Sequence, residues 1–138
     1  MEGRSRESLI RVRSEDPRPI YVQIMDEVRR GVVLGALRPD DPLPSVRDLA
    51  AELRVSPNTV AQAYRELERS GEAYTRRGVG TFVASGVDPG RLRESLARGI
   101  AEQALREAYR SGVGVDHLLA EIRRAAGQDA RPEGASTP

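Results

Sequence analysis

Apolar residues recur every fourth position at Ile20, Ile24, Val28 and Val32, with Tyr21 alongside. That spacing predicts a helix with one buried face. Gly35 stands where a C-terminal cap belongs, and residues 36–44, "ALRPDDPLP", read as a Pro/Asp loop. A shorter stripe follows at Val46, Leu49, Ala50 and Leu53, then another at Val60, Ala63, Tyr64 and Leu67. Arg54 and Val55 make the turn between these two helices, and Gly71 ends the second.

Both short helices open on a Ser. Ser45 has Asp48 three residues on, a capping-box spacing, and Ser56 is followed by Pro57, which loses nothing at a first helical position. Residues 72–85, "EAYTRRGVGTFVAS", read as two short strands around the turn Gly78-Val79-Gly80. Residues 91–110 form a long helix after a Pro/Gly break at 87–90. One of its stripes is Leu92, Leu96, Ile100, Ala104 and Ala108; the neighbouring one is Ala97, Ala101, Leu105 and Tyr109. A last short helix carries Leu118, Leu119 and Ile122. At the other end, "SLIRVR", residues 8–13, alternates and reads as a short strand or a floppy arm.

The expected organisation is an N-terminal arm (1–16), a winged helix-turn-helix domain (17–86), a helical unit (87–126) and a disordered tail (127–138) of low apolar content. The fold class is mainly α with a small β-wing: a winged helix-turn-helix followed by two helices. Two helices joined by a tight turn, the second with a polar outer face, are the helix-turn-helix arrangement, in which one helix braces the other in the major groove. Outside the buried stripe of that second helix lie Asn58, Ala61, Gln62, Arg65 and Arg69. Asn and Gln pair with adenine in bidentate fashion and Arg with guanine, so Asn58, Gln62 and Arg65 are candidate base readers; Arg69, near the far end, reads as solvated. Ser45 and Ser56 hold two helix starts rigid, leaving their remaining N–H groups for phosphate. Arg76, Arg77 and Gly78 form a wing tip suited to a minor groove or its phosphates.

Composition narrows the alternatives. The chain has 138 residues, no Cys and one His, His117, so disulfides and thiolate metal sites are excluded. Net charge is +1, and all 22 basic residues are Arg. An Arg-only set suits phosphate, but Arg also fills solvent-facing positions such as Arg123 and Arg124, as a GC-rich genome would give. No nucleophile–base pair, phosphate loop or metal spacing marks an enzyme, and no cofactor is expected. The charged N-terminus is no signal peptide and no apolar run is long enough to span a bilayer, so no membrane partner and a cytoplasmic location are expected.

Four segments in order, "PIYVQI" (19–24), "LPSVRDLAAEL" (43–53), "VSPNTVAQAYRELERSG" (55–71) and "RRGVGTFVA" (76–84), resemble the GntR family of bacterial transcription regulators. The short C-terminal part resembles the family's YtrA subfamily. The resemblance implies a winged helix-turn-helix, a homodimer and repression by operator binding. It places the DNA-touching Arg on Arg47, the polar start of the recognition helix on Ser56, Asn58 and Thr59, and the wing Gly on Gly78. Arg54 and Asp40 stand where Gly is common in the family; Pro57 and Ala61 stand where many members have a basic residue.

Residues 44–84 carry six Arg against five acids, so affinity should lean on two half-sites of an inverted repeat binding together. That weak charge also suits the rival reading, a winged-helix protein-interaction module without specific DNA binding; Arg47, Asn58, Arg76 and Arg77 argue against it. The stripes of the C-terminal helices, Leu92, Leu96, Ile100, Ala104, Leu105, Ala108 and Tyr109 with Leu118, Leu119 and Ile122, are expected to pack on a second copy of the chain. Two helices are too little to wall a ligand pocket within one subunit; a small-molecule effector in a dimer cleft stays open.

Overall fold

The computed structural model describes residues 10–128. Helix α1 spans Ile20–Val33, α2 Val46–Leu53 and α3 Pro57–Arg69; strands β1, Ala73–Arg76, and β2, Gly80–Val83, follow, then α4, Pro89–Arg110, and α5, Val115–Gln128. The chain divides into two compact units, Met1–Leu96 and Ala97–Pro138, with the division inside α4.

In the first unit α3 packs against α1, α2 and β1. Its inward residues Val60, Ala63, Tyr64 and Leu67 meet Ile24 and Val28 of α1, Leu49 and Ala50 of α2, and Ala73 and Val83 of the strands in one core. The apolar spacing dictates this: each helix is too short to be stable alone and is held by the stripe it buries. The helix ends are closed locally. The Ser45 Oγ accepts from the Asp48 N–H at 3.0 Å and the Ser56 Oγ from the Thr59 N–H at 3.1 Å. Gly71 ends α3 in the left-handed region, φ 79°, and the Glu72 N–H reaches back to the Leu67 carbonyl at 2.8 Å.

Strands β1 and β2 are antiparallel, with Ala73 opposite Val83 and Arg76 opposite Gly80. The segment expected as a loop before α2 is part of this structure. The Asp40 N–H donates to the Val83 carbonyl at 2.8 Å, the Val83 N–H to the Asp41 carbonyl at 2.9 Å, and the Leu43 N–H to the Thr81 carbonyl at 2.8 Å. Pro42 bridges to Phe82 at a position where no donor is needed, so a Pro is accommodated.

Three expectations need correction. Residues 10–13 form no strand and are no floppy arm: Ile10 is buried in the core, Val12 packs against it, and the Arg13 N–H donates to the Gln23 side chain at 2.8 Å. Residues 1–9 lie outside the described part, as does most of the expected tail. Helix α4 begins at Pro89, two residues before the expected start; Pro suits the first turn, and Asp88 accepts from the Gly90 N–H at 2.9 Å. The last helix is not short: α5 has 14 residues and runs to Gln128, into the expected tail. In the second unit α5 buries none of its residues, whereas Ala108 of α4 is buried and its carbonyl accepts from the Val113 N–H at 2.8 Å.

Candidate nucleic-acid interface

The turn between α2 and α3 is made by Arg54 at φ 61°, ψ 47°. Its left-handed backbone lets the Val55 N–H return to the Ala50 carbonyl at 3.0 Å, and Val55 then packs against the core. The next residue, Ser56, already caps α3. The short turn therefore fixes where the start of α3 lies relative to α2.

At the start of α3, Pro57 has no N–H and Ser56 takes that of Thr59. The Asn58 N–H has no partner among the described residues, beside the exposed Asn58 side chain. Asn58, Gln62 and Arg65 follow at helical spacing on the side opposite the buried stripe. Asn58 and Arg65 are exposed; Gln62 and Thr59 are half-buried, and the Thr59 Oγ1 lies 3.2 Å from the Ser56 Oγ. Thr59 thus belongs to the cap as much as to any outer surface. Ser45, Ser56 and Arg47 are exposed at their helix starts.

Among the described residues, several Arg are engaged by carboxylates: Arg18 with Asp16 and Asp26, Arg29 with Asp26 and Glu72, and Arg69 with Glu66. The Arg69 pair accords with its reading as a solvated residue. No such pair holds Arg47, Arg65, Arg76 or Arg77 among the described residues, so these four guanidinium groups have no ion pair there to give up to an outside anion.

In the wing, Ala73 and Val83 are buried and the Thr75 and Thr81 hydroxyls lie 3.3 Å apart on the same face. The other face carries Tyr74, Phe82 and Arg76. The Tyr74 and Phe82 rings stack with centroids 5.5 Å apart, and the Arg76 guanidinium lies 6.0 Å from the Phe82 ring centre. The Tyr74 hydroxyl donates to Asp40 at 2.7 Å, and that hydrogen bond raises the tyrosine pKa above its ordinary value. Gly78 and Val79 are exposed at the tip. Reading the sequence missed this Tyr74–Phe82 pair and its Asp40 anchor. The alternation of Tyr74 and Arg76 with Phe82 two residues past Gly80 was the available signal.

Of the ten residues expected to meet a second copy, Ile100, Tyr109, Leu119 and Ile122 are exposed, Leu96, Ala104, Leu105 and Leu118 are half-buried, and Leu92 and Ala108 are buried within the single chain. No group of His, Cys, Asp and Glu suited to a metal occurs among the described residues. None of the described helices is long and apolar enough to cross a membrane.

Residues 20–83 match the model of the bacterial regulatory proteins, gntR family. The chain is 36% identical over 110 residues to the uncharacterized HTH-type transcriptional regulator YhcF of Bacillus subtilis, covering 79% of this chain and 91% of that protein. It is 36% identical over 108 residues to the HTH-type transcriptional repressor YtrA of the same organism, covering 75% and 83%. Among solved structures it resembles YtrA from Sulfolobus acidocaldarius, a GntR-family transcription factor, with a TM-score of 0.55 and 36% identity over 68% of this chain and 99% of that one. With its capped recognition helix and two-stranded wing, the chain belongs to the GntR family and is a YtrA-like, DNA-binding transcription regulator, not an enzyme.

Proposed function

We propose that the chain is a homodimeric, cytoplasmic repressor that binds an inverted-repeat operator. The observation that carries this reading is the outer side of α3: Asn58 and Arg65 stand exposed behind a rigid cap, with Gln62 between them. In this reading Asn58, Gln62 and Arg65 meet base edges in the major groove. Arg47, Ser45, Ser56 and Thr59 set the two helix starts against phosphates, and Arg76, Arg77 and Gly78 bring the wing to the flanking minor groove. Repression is taken from the relative named as a repressor.

The dimer is supported by apolar side chains that a single chain leaves in water: Ile100 is 60% exposed, Tyr109 65%, Leu119 42% and Ile122 49%. Burying one such side chain contributes about 1.5–3 kcal/mol, so a few of them against a second copy can hold two subunits together. Two linked half-sites also offset the weak positive charge of the DNA-binding region.

Footprinting over the protein's own and neighbouring promoters tests the reading. Protection of two symmetric half-sites about one helical turn apart, ~10 bp, is expected. Protection of one unrepeated half-site would count against it, and equal affinity for random duplex would remove sequence-specific binding altogether.

A further inference from the structure

The two wing arginines are adjacent in sequence but held differently. Arg77 sits in the turn with no partner among the described residues. Arg76 is the last residue of β1 and lies diagonally across from Phe82, with its guanidinium 6.0 Å from the ring centre. Opposite Arg76 is Gly80, at φ 148°, whose missing side chain leaves the edge of the Phe82 ring open on that side; a Cβ there would stand 3.8 Å from the ring. Phe82 is itself fixed by the stack with Tyr74, and Tyr74 by its hydrogen bond to Asp40. Asp40 holds a left-handed backbone, φ 69°, an uncommon state for a non-glycine residue. Its N–H donates to the Val83 carbonyl of β2. A continuous line of contacts thus runs from the body of the domain to one arginine of the tip.

We propose that Asp40, Tyr74 and Phe82 are positioning residues that preset Arg76 as the wing's reader of the minor groove, while Arg77 serves as an undirected phosphate contact. The proposal rests on the DNA-binding reading of the wing and divides its labour. A cation over an aromatic face keeps a fixed direction and loses less freedom on binding than a free side chain. A narrow, A·T-rich minor groove draws an inserted Arg by its enhanced negative potential. A fixed Arg76 therefore turns groove shape and the absence of the guanine amino group into preference, whereas a mobile Arg77 adds affinity for any duplex.

The test uses the full chain and a duplex selected by the wild-type protein from a randomised pool, remade with A·T, G·C or inosine·C pairs beneath the wing. Inosine·C lacks the minor-groove amino group but keeps the major-groove acceptors of G·C, so it isolates minor-groove reading. Wild type should prefer A·T and inosine·C over G·C. Phe82→Leu should reduce that preference about two- to five-fold with little change on random duplex, and Phe82→Tyr should restore it. Tyr74→Phe, which keeps the ring stack but frees it from Asp40, should give a smaller loss in the same direction and covers the case in which Phe82→Leu does not fold.

Arg76→Ala should abolish the preference and leave nothing for Phe82→Leu to remove in the double variant. Arg77→Ala should weaken all duplexes alike. In the free protein, the Arg76 Nε–H resonance should carry a ring-current shift that Phe82→Leu erases. A preference that survives Phe82→Leu, additive losses in the double variant, or an Arg76 resonance indifferent to Phe82 would overturn the platform. Wild-type protein that binds the selected duplex no better than random DNA would instead overturn the sequence-specific reading of the site, and the platform's role with it.

Discussion

The hydroxyl of Tyr64 in α3 donates a 2.7 Å hydrogen bond to the carbonyl of Pro44, twenty residues upstream and immediately before the Ser45 cap of α2. The recognition helix thereby grips the start of its supporting helix, where Arg47 emerges. Tyr64 is 4% exposed, so its ring fills the core while its polar tip is satisfied within it.

Tyr64→Phe should keep the packing but leave the Pro44 carbonyl short of its partner, at a cost of about 1–3 kcal/mol. Urea unfolding with an unchanged slope would measure it. The pH dependence has a definite sign. Burial, and then the negative charge of Glu52, raise the Tyr64 pKa above its ordinary 10.0. The unfolded chain releases this proton first, so the contribution is complete below pH 10 and falls as pH rises beyond it. Wild type should lose stability above pH 10 more steeply than Tyr64→Phe. Parallel alkaline profiles would show that Tyr64 titrates normally.

Arg54 carries the strain of the turn. A non-glycine residue in the left-handed region costs roughly 1 kcal/mol, and Arg54 sits there at φ 61°. Arg54→Gly should stabilise by no more than that, because glycine also gains entropy in the unfolded chain. Arg54→Val should destabilise, since a β-branched side chain fits the left-handed region poorly. If Val were tolerated as well as Gly in thermal melts, backbone strain would not be what the position senses.

Much of this architecture was legible because it is local. The stripes of α1 and α3, the caps at Ser45 and Ser56, the turn at Arg54 and the Gly-centred wing each depend on residues within a few positions of one another. What escaped reading is long-range. Nothing in "RPDDPLP" announces that residues 40–43 pair with β2, because Pro and Asp break the alternation that marks a strand. The Asp40–Tyr74 bond joins residues 34 apart, and its spacing carries no pattern. Residues 8–13 read as a strand or an arm because Ile10 and Val12 alternate with Arg over too few positions to say what they pack against, and the core they join is distant in sequence. At the candidate interface, the residue types were visible from sequence; which arginines are ion-paired was not.

Arg47 and Asn58 should fail in different ways. Arg47 is a cation at a helix start with no carboxylate partner among the described residues. Arg47→Ala should weaken binding to every duplex and flatten the dependence of affinity on salt. Asn58→Ala should relax preference at one base position by roughly 1–3 kcal/mol and leave the salt slope intact. Binding isotherms on specific and random duplex at two salt concentrations separate the cases. An Asn58→Ala loss equal on both duplexes would reassign Asn58 to the backbone.

The last prediction distinguishes core from interface in the C-terminal helices. Leu92 and Ile100 belong to one stripe of α4, yet Leu92 is 5% exposed in the single chain and Ile100 is 60% exposed. A side chain already buried can add little to association; one left in water can add its full transfer term. Leu92→Ala should therefore lower stability by about 2–5 kcal/mol through the fold of each subunit. Ile100→Glu and Ile122→Glu should leave each subunit folded, because a carboxylate at those positions still faces solvent. Placed against a second copy, the same carboxylate would lose its water without a partner. Light scattering should then show dimers for wild type and monomers for the two Glu variants, with unchanged circular dichroism. Operator affinity should fall with dimerisation, while binding to an isolated half-site stays near the wild-type level. Glu variants that remain dimeric would place the subunit interface on another surface.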